Sequence, residues 1–215
     1  MGAKNLMFYA LGNTSKSTGI WNGLTASFGH YFDQKLASAM YQFFIEESSI
    51  KIYDMGCGVN TKYVNFLNQK GLSCTGFDGN PSIKNADNCY LKELHVEFND
   101  EPAEWVISLE TGDKIPRQYE KTFIDNLKNH ATKGIILSWA KKGQAGSSHL
   151  NGRNKEYLIN KFCSDNSFYL DVEATNNLRK SVSPTRFWLA ENLLVFRKTN
   201  HEKHLPAGAC NVENY

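Results

Sequence analysis

Apolar residues recur along this chain with two different periods, and the switches between them mark its elements. Over residues 28–45, Phe28, Phe32, Leu36, Ala39, Met40 and Phe43 fall at helical spacing, which predicts an amphipathic helix. Residues 50–55 then form a short β-rich run closed by Gly56-Cys57-Gly58. Residues 61–70 return to the helical period, with Tyr63, Val64, Phe66 and Leu67 inward and Gly71 as cap. A second strand over 72–77 ends at Asp78-Gly79-Asn80-Pro81. A weaker third strand follows at 88–94 and a fourth at 105–109. A helix over 119–130 leads to the strongest strand signal of the chain, 134–139. Another helix is predicted at 155–163, and the last two strands at 168–172 and 193–197. Such strand–helix alternation over about 150 residues predicts an α/β domain built on a mostly parallel sheet.

Composition narrows the class further. The chain has 215 residues, enough for one domain that buries roughly 70% of its unfolded surface. Lys and Arg number 24 against 22 Asp and Glu, a net charge of +2, which argues against a polybasic nucleic-acid binder. No apolar run approaches the length of about 18 residues that spans a bilayer. The opening lacks the basic and apolar blocks of a signal peptide, and Leu6 stands where myristoylation wants Ser or Thr. Five cysteines, never in a C-x-x-C pair, argue against a disulfide framework or a zinc knuckle, so a reducing cytoplasm is expected.

The most informative segment is residues 50–60. A strand feeding a Gly-x-Gly turn and then a helix is the nucleotide-binding opening of Rossmann-like folds, where glycine lets a ligand approach the backbone. Dinucleotide enzymes need a third glycine where the helix begins, and here that position is Thr61. Asp54 stands two residues before Gly56; a carboxylate there repels a pyrophosphate and suits an ammonium group. Asp78, twenty residues past Gly58, is placed to hold ribose hydroxyls. The pocket asks for a ribose and a cation rather than two phosphates.

Asp54-Met55-Gly56-Cys57-Gly58 together with Asp78 resembles the first motif and second-strand acid of class I S-adenosylmethionine-dependent methyltransferases. The resemblance implies a Rossmann-like seven-stranded sheet with an antiparallel last strand, helices on both faces and an N-terminal helical cap. It implies that Asp54, Gly56, Cys57 and Gly58 line the methionine end of S-adenosylmethionine. Asp78 would hold the ribose beside Gly79 and Asn80, and the acid–apolar pair Glu93-Leu94 would meet the adenine. Glu110, at the end of the fourth strand, would face cofactor or substrate. The second half is similar to an uncharacterised small-protein branch of the same enzymes. Glu110-x-x-Asp113-Lys114-Ile115-Pro116 resembles that branch's E-x-x-E-H-I-P, and Gly146-Ser147-Ser148-His149-Leu150-Asn151 resembles its G-H-x-H-V-N. The likeness covers residues 50–197, within a single domain read as a cap over 1–45, a core over 46–198 and a tail over 199–215.

Methyl transfer needs a positioned nucleophile and, where a proton is lost, a base. The candidates are Glu110, Asp113, His130 and His149. His149 follows the fifth strand, on the ligand-facing rim of such a sheet; it either takes a proton or only holds its loop. His130 reads as a favourable charge at a helix C-terminus, and Asp113 with Lys114 as a surface pair. Some RNA methyltransferases of this fold hold Mg²⁺ with an E-x-x-E-H motif, but Lys114 replaces the histidine, so no metal is expected. Phe8, Tyr9, Trp21, Phe28, His30 and Tyr31 are aromatic enough for a lid, or for packing on the sheet. Arg179, Arg186 and Trp188 are candidates for a further cavity wall, where an arginine would clamp a carboxylate. His201, His204 and Cys210 in the tail are too sparse for a metal site.

The resulting expectation is an enzyme that methylates an oxygen or nitrogen of a small molecule, with no nucleic-acid or membrane partner. A catalytically inactive binding module of the same fold is the alternative. A nicotinamide oxidoreductase is disfavoured by Thr61 and Asp54.

Overall fold

In the computed structural model, residues 15–21, 31–146 and 149–199 are described. The readings made on Phe8, Tyr9, Phe28, His30, Ser147, Ser148, His201, His204 and Cys210 lie outside them. The first described helix, α1, spans Gln34–Glu46 and starts six residues later than the apolar period predicts. Its start is set by Asp33, whose carboxylate accepts the N–H groups of Lys35 and Leu36. Capping by a short acidic side chain overrides apolar spacing in fixing a helix end.

In chain order there follow β1 (Lys51–Met55), α2 (Lys62–Gln69), β2 (Ser73–Asp78), β3 (Cys89–Leu91) and β4 (Ala103–Leu109). After these come α3 (Glu120–Asn129), β5 (Ala131–Ser138), α4 (Lys155–Cys163), β6 (Phe168–Leu170), α5 (Val172–Ser181), α6 (Phe187–Asn192) and β7 (Leu193–Lys198). The third and sixth strands are shorter than the β-rich runs that announced them. Two helices, α5 and α6, were not read from sequence at all.

The seven strands form one sheet in the order β3-β2-β1-β4-β5-β7-β6. All neighbours are parallel except those of β7, which runs antiparallel to β5 and β6. Both faces are covered, because inward and outward positions alternate along each strand. Ile52, Trp105, Ile107, Ile136 and Val195 pack on one side against Leu36, Met40, Val64, Leu67 and Leu178. Tyr53, Val106, Ile135, Leu137 and Phe196 pack on the other against Phe123, Leu127, Leu158 and Phe162. Among the described residues no helix is long and apolar enough to cross a membrane.

This order reverses between β1 and β4. Connections from β1 go outward to one edge and those from β4 to the other, which opens a crevice at the carboxyl ends of these two strands. Ser108 closes the floor of that crevice by donating from its hydroxyl to the Met55 carbonyl at 2.7 Å. The turn after β1 and the residue after β4 are Gly56 and Glu110, two of the residues singled out in the sequence.

Candidate functional site

Gly56 and Glu110 flank a cavity of about 570 Å³, the size of a small-ligand site. Its inner wall includes Asp54, Cys57 and Tyr63, and His149 and Gly146 line another side. Tyr31, Arg186 and Trp188 line the remainder. A second cavity of about 60 Å³ adjoins it along Trp21, Gly56, Glu110 and Lys114 and is lined by Asp78, Gly79, Leu94 and His95.

The turn that begins the site depends on glycine. Gly56 has φ +95°, and a Cβ there would stand 2.0 Å from the Thr111 hydroxyl oxygen. Gly56→Ala is therefore expected to destabilise the fold by about 1–3 kcal/mol from backbone strain alone. Urea unfolding checks this, and an unchanged midpoint would refute it. Thr61, where a dinucleotide site has its third glycine, also adopts a left-handed backbone, with φ 46°.

Asp54 lies opposite Gly76 of β2 and Ile107 of β4, 3% exposed. Its Oδ2 is buried without a hydrogen-bond partner. Burial, followed by the neighbouring Cys89 and Asp78, pushes its carboxyl up to about 8. An unpartnered buried carboxyl on a cavity wall is costly unless a ligand completes it. Cys57 is buried beside Cys89, to which its thiol hydrogen-bonds; that bond and burial push it well up, so it lines the wall as an inert thiol. Asp78 accepts the N–H of Gly58 at 3.0 Å and that of Asn80 at 2.8 Å, one on each oxygen. These bonds fix the carboxylate while leaving lone pairs free for further donors.

Asn80 lines neither cavity. Its side-chain amide donates to the Trp21 carbonyl at 2.5 Å and so fastens the segment Thr18–Trp21 across the end of β2. Ile20 of this segment lies over Gly79, where a Cβ would come within 2.8 Å of it. Of the pair Glu93-Leu94, Leu94 lines the small cavity, whereas Glu93 lines neither and its side chain is 54% exposed. His95, unnoticed in the sequence, lines the small cavity instead and packs on Tyr119 with ring centroids 4.9 Å apart.

The opposite wall is built around Asp113, which is fully buried. One carboxylate oxygen contacts both Lys114 Nζ at 2.5 Å and His149 Nδ1 at 2.6 Å. The reading of Asp113 and Lys114 as a surface pair is thereby corrected, since the Lys114 side chain is only 11% exposed and also lies over the Trp21 ring. Burial would raise the Asp113 carboxyl, but the Lys114 charge and the bonds from His149 and Lys114 hold it below its usual value. With Nδ1–H donating to an ionised carboxylate, His149 keeps Nε2 as its acceptor nitrogen. Gly146 makes room for the ring: a Cβ there would stand 2.5 Å from Nε2.

The loop carrying His149 is anchored by Asn151, which the sequence reading quoted without giving it a role, and by Glu120, which it missed. Asn151 donates its backbone N–H to the Asp113 carbonyl at 2.8 Å and accepts Trp139 Nε1–H at 2.6 Å. Its side-chain amide donates to Glu120 at 2.8 Å, and Glu120 also binds Arg153 and the Tyr157 hydroxyl. Glu120 opens a helix and carries no motif, so no local signal marks it as an anchor.

Glu110 has φ 52°, a strained conformation for a non-glycine residue. Its N–H is held by the Ser138 hydroxyl at 2.8 Å and its carboxylate by Asn192 at 3.1 Å. Burial and then Asp113 push its carboxyl up.

His130 is not a solvated charge at a helix end, as the sequence suggested. It is 2% exposed, Nδ1 bonds the Asn126 carbonyl at 2.7 Å, and Nε2 accepts the Asp100 N–H at 3.2 Å. That pair of bonds requires the neutral ring. Arg179 donates to the Leu193 carbonyl at 2.9 Å and lines neither cavity, while Arg186 and Trp188 do line the large one. Among the described residues no group of three His, Cys, Asp or Glu side chains could hold a metal ion.

No protein-family model matches the sequence, and no curated protein matches it. Solved structures do. Magnesium protoporphyrin IX methyltransferase from Synechocystis PCC 6803 with bound SAM aligns at TM-score 0.54 and 19% identity, covering 77% of this chain and 79% of that one. The plantazolicin methyltransferase BpumL in complex with SAH gives 0.54 at 10% identity, over 77% and 82%. The methyltransferase domain of bacterial CtHen1 gives 0.55 at 12% identity, over 78% and 98%. The chain has the class I S-adenosylmethionine-dependent methyltransferase fold. In the sheet of this fold the crevice beyond β1 and β4 is where the sequence resemblance puts the cofactor. The residues present there fit one: an orphaned carboxyl at Asp54, a turn with no room for a side chain at Gly56, and a fixed carboxylate at Asp78.

Proposed function

We propose that the protein is an S-adenosylmethionine-dependent methyltransferase acting on a protic oxygen or nitrogen of a small molecule. The observation that carries this reading is a single cavity with the buried carboxyl of Asp54, its Oδ2 unpartnered, on one wall and His149, held from behind by Asp113, on another.

When bound, the cofactor would supply an electrophilic methyl on a sulfonium, whose sulfur would leave as a thioether as the acceptor's electron pair forms the new bond. Asp54 takes the ammonium group, and the Gly56–Gly58 turn admits the ligand against the backbone. Asp78 accepts the ribose hydroxyls, with Leu94 on the adenine side. His149 Nε2 takes the proton that the acceptor loses, and Asp113 stabilises the imidazolium that results. Lys114 keeps Asp113 ionised. Glu110 is held in its strained backbone between the two ends and shapes the contact of cofactor and acceptor.

A net charge of +2 favours a small acceptor over a nucleic acid, whose binding needs several phosphates neutralised. Calorimetric titration with S-adenosylmethionine and S-adenosylhomocysteine tests the proposal, with NAD⁺ as control. Both sulfur nucleosides are expected to bind, and Asp78→Ala to weaken them by about 10–100-fold through loss of charge-assisted hydrogen bonds. Failure of folded wild-type protein to bind either would overturn the reading. Binding without turnover on any acceptor would leave the inactive module.

A further inference from the structure

The wall of the large cavity opposite the strand ends differs in character from the rest. Tyr31 and Trp188 meet edge to face with centroids 5.9 Å apart, and Tyr31 is 62% exposed. Arg186 lies beside them, its guanidinium carbon 5.8 Å from the Tyr31 centroid. Two rings meeting at a steep angle beside a cation form an aromatic corner on which a flat ring can lie.

The charges on the cavity wall are also sorted. The carboxyls Asp54 and Glu110 lie at the strand ends, while the cations Lys62, Lys114 and Arg186 also line the cavity. Lys114 is committed to Asp113 at 2.5 Å. Lys62 opens α2 directly after the glycine turn, which puts it with the amino-acid end of the cofactor. Arg186 is left for another ligand. Among the described residues its guanidinium makes no hydrogen bond and one ion pair, to Asp33 at 3.8 Å. Asp33 is already satisfied by the N–H groups of Lys35, Leu36 and Ser183 and by the Ser183 hydroxyl. A guanidinium with its fork of donors unused, on an aromatic wall, matches a planar carboxylate.

From this arrangement we infer that the acceptor is an aromatic carboxylic acid, its ring against the Tyr31–Trp188 corner, its carboxylate on Arg186 and its hydroxyl or amino group toward His149. This rests on the methyltransferase reading and goes beyond it. The carboxylate is the handle and not the methylated atom, because an ionised carboxylate has no proton for a base to remove, whereas a phenol or aniline does. One arginine with hydrogen-bond donors to spare, beside two cavity-lining carboxyls, suits a monoanion and rejects a polyphosphate.

The test is calorimetry on protein saturated with S-adenosylhomocysteine, using the hydroxybenzoates and aminobenzoates against the corresponding neutral benzamides. The acids are expected to bind at least about tenfold tighter than their amides, as one charge-assisted bidentate contact gives. Arg186→Gln should erase that preference without changing affinity for S-adenosylhomocysteine. Trp188→Ala should weaken acid and amide alike. Equal binding of acid and amide, a preference that survives in Arg186→Gln, or no acid bound by the saturated protein would each overturn the inference while leaving the methyltransferase reading intact. Failure of S-adenosylhomocysteine itself to bind would overturn both.

Discussion

His149→Ala is expected to lower turnover by about 10²–10⁴-fold, the usual contribution of a positioned general base, while leaving affinity for S-adenosylhomocysteine unchanged. The imidazole touches Asp113 at 2.6 Å through Nδ1 and lines the large cavity, whereas Asp78, the proposed ribose acceptor, lines the small one. Asp113→Asn should also lower the rate. An amide that donates to Nδ1 turns the ring to the tautomer whose Nε2 bears a proton, which can no longer accept one. Turnover is measured by the conversion of S-adenosylmethionine to S-adenosylhomocysteine once an acceptor is in hand. A His149→Ala enzyme with undiminished turnover would show that the ring only props its loop. Weakened binding of S-adenosylhomocysteine in the same variant would show that the ring belongs to the cofactor half.

The second large effect concerns Asp54. Its carboxyl is pushed up to about 8, so between the ordinary aspartate value of 3.8 and about 8 the folded state holds a proton that the unfolded chain has released. Its contribution to stability is thus fully present below 3.8 and falls as pH rises through that window, levelling off above about 8. The loss is on the order of 6 kcal/mol as an upper bound. Asp54→Asn removes this slope, so urea unfolding should show the variant gaining on the wild type as pH rises. The carboxyls held low by their partners, Asp33, Asp113 and Glu120 among them, act in the opposite sense and lose their contributions as pH falls below the usual carboxylate range.

A ligand ammonium beside Asp54 reverses its preference. Binding of S-adenosylhomocysteine near pH 7 should therefore expel close to one proton from the wild type and none from Asp54→Asn. Titrations in buffers of different ionisation enthalpy count that proton. An observed enthalpy independent of buffer would mean that Asp54 does not meet the ammonium group.

How much of this was legible in the sequence depends on whether the signal was local. The glycine turn was legible because Gly56 and Gly58 are required by backbone angles and close approach, which glycine alone satisfies. Helix α4 was predicted with its observed bounds, since its apolar period and its flanking polar residues agree. By contrast, α1 was begun too early, because Phe28 and Phe32 continue its period while Asp33 caps it. Helix α5, VEATNNLRKS, has few apolar residues to announce it and is capped by Asp171, and α6 has only six residues. His130 was read as a helix-end charge and Asp113 as half of a surface pair for a common reason. Charge in sequence reads as solvent exposure, yet each is buried because partners far along the chain satisfy it: Asp100 for the first and His149 for the second. Asn151 and Glu120, which fix the loop carrying His149, interact across 31 positions and leave no periodic trace.

Asp33 has a role larger than that of a cap. The same buried carboxylate that starts α1 also accepts the Ser183 amide at 2.8 Å and the Ser183 hydroxyl at 3.0 Å, 150 positions away. Tyr31 stands just before this knot on one strand of chain, and Arg186 and Trp188 just after it on the other. The two stretches of chain that carry this wall of the cavity are therefore riveted at one buried carboxylate, so a change at position 33 would reach Tyr31 on one side and Arg186 and Trp188 on the other.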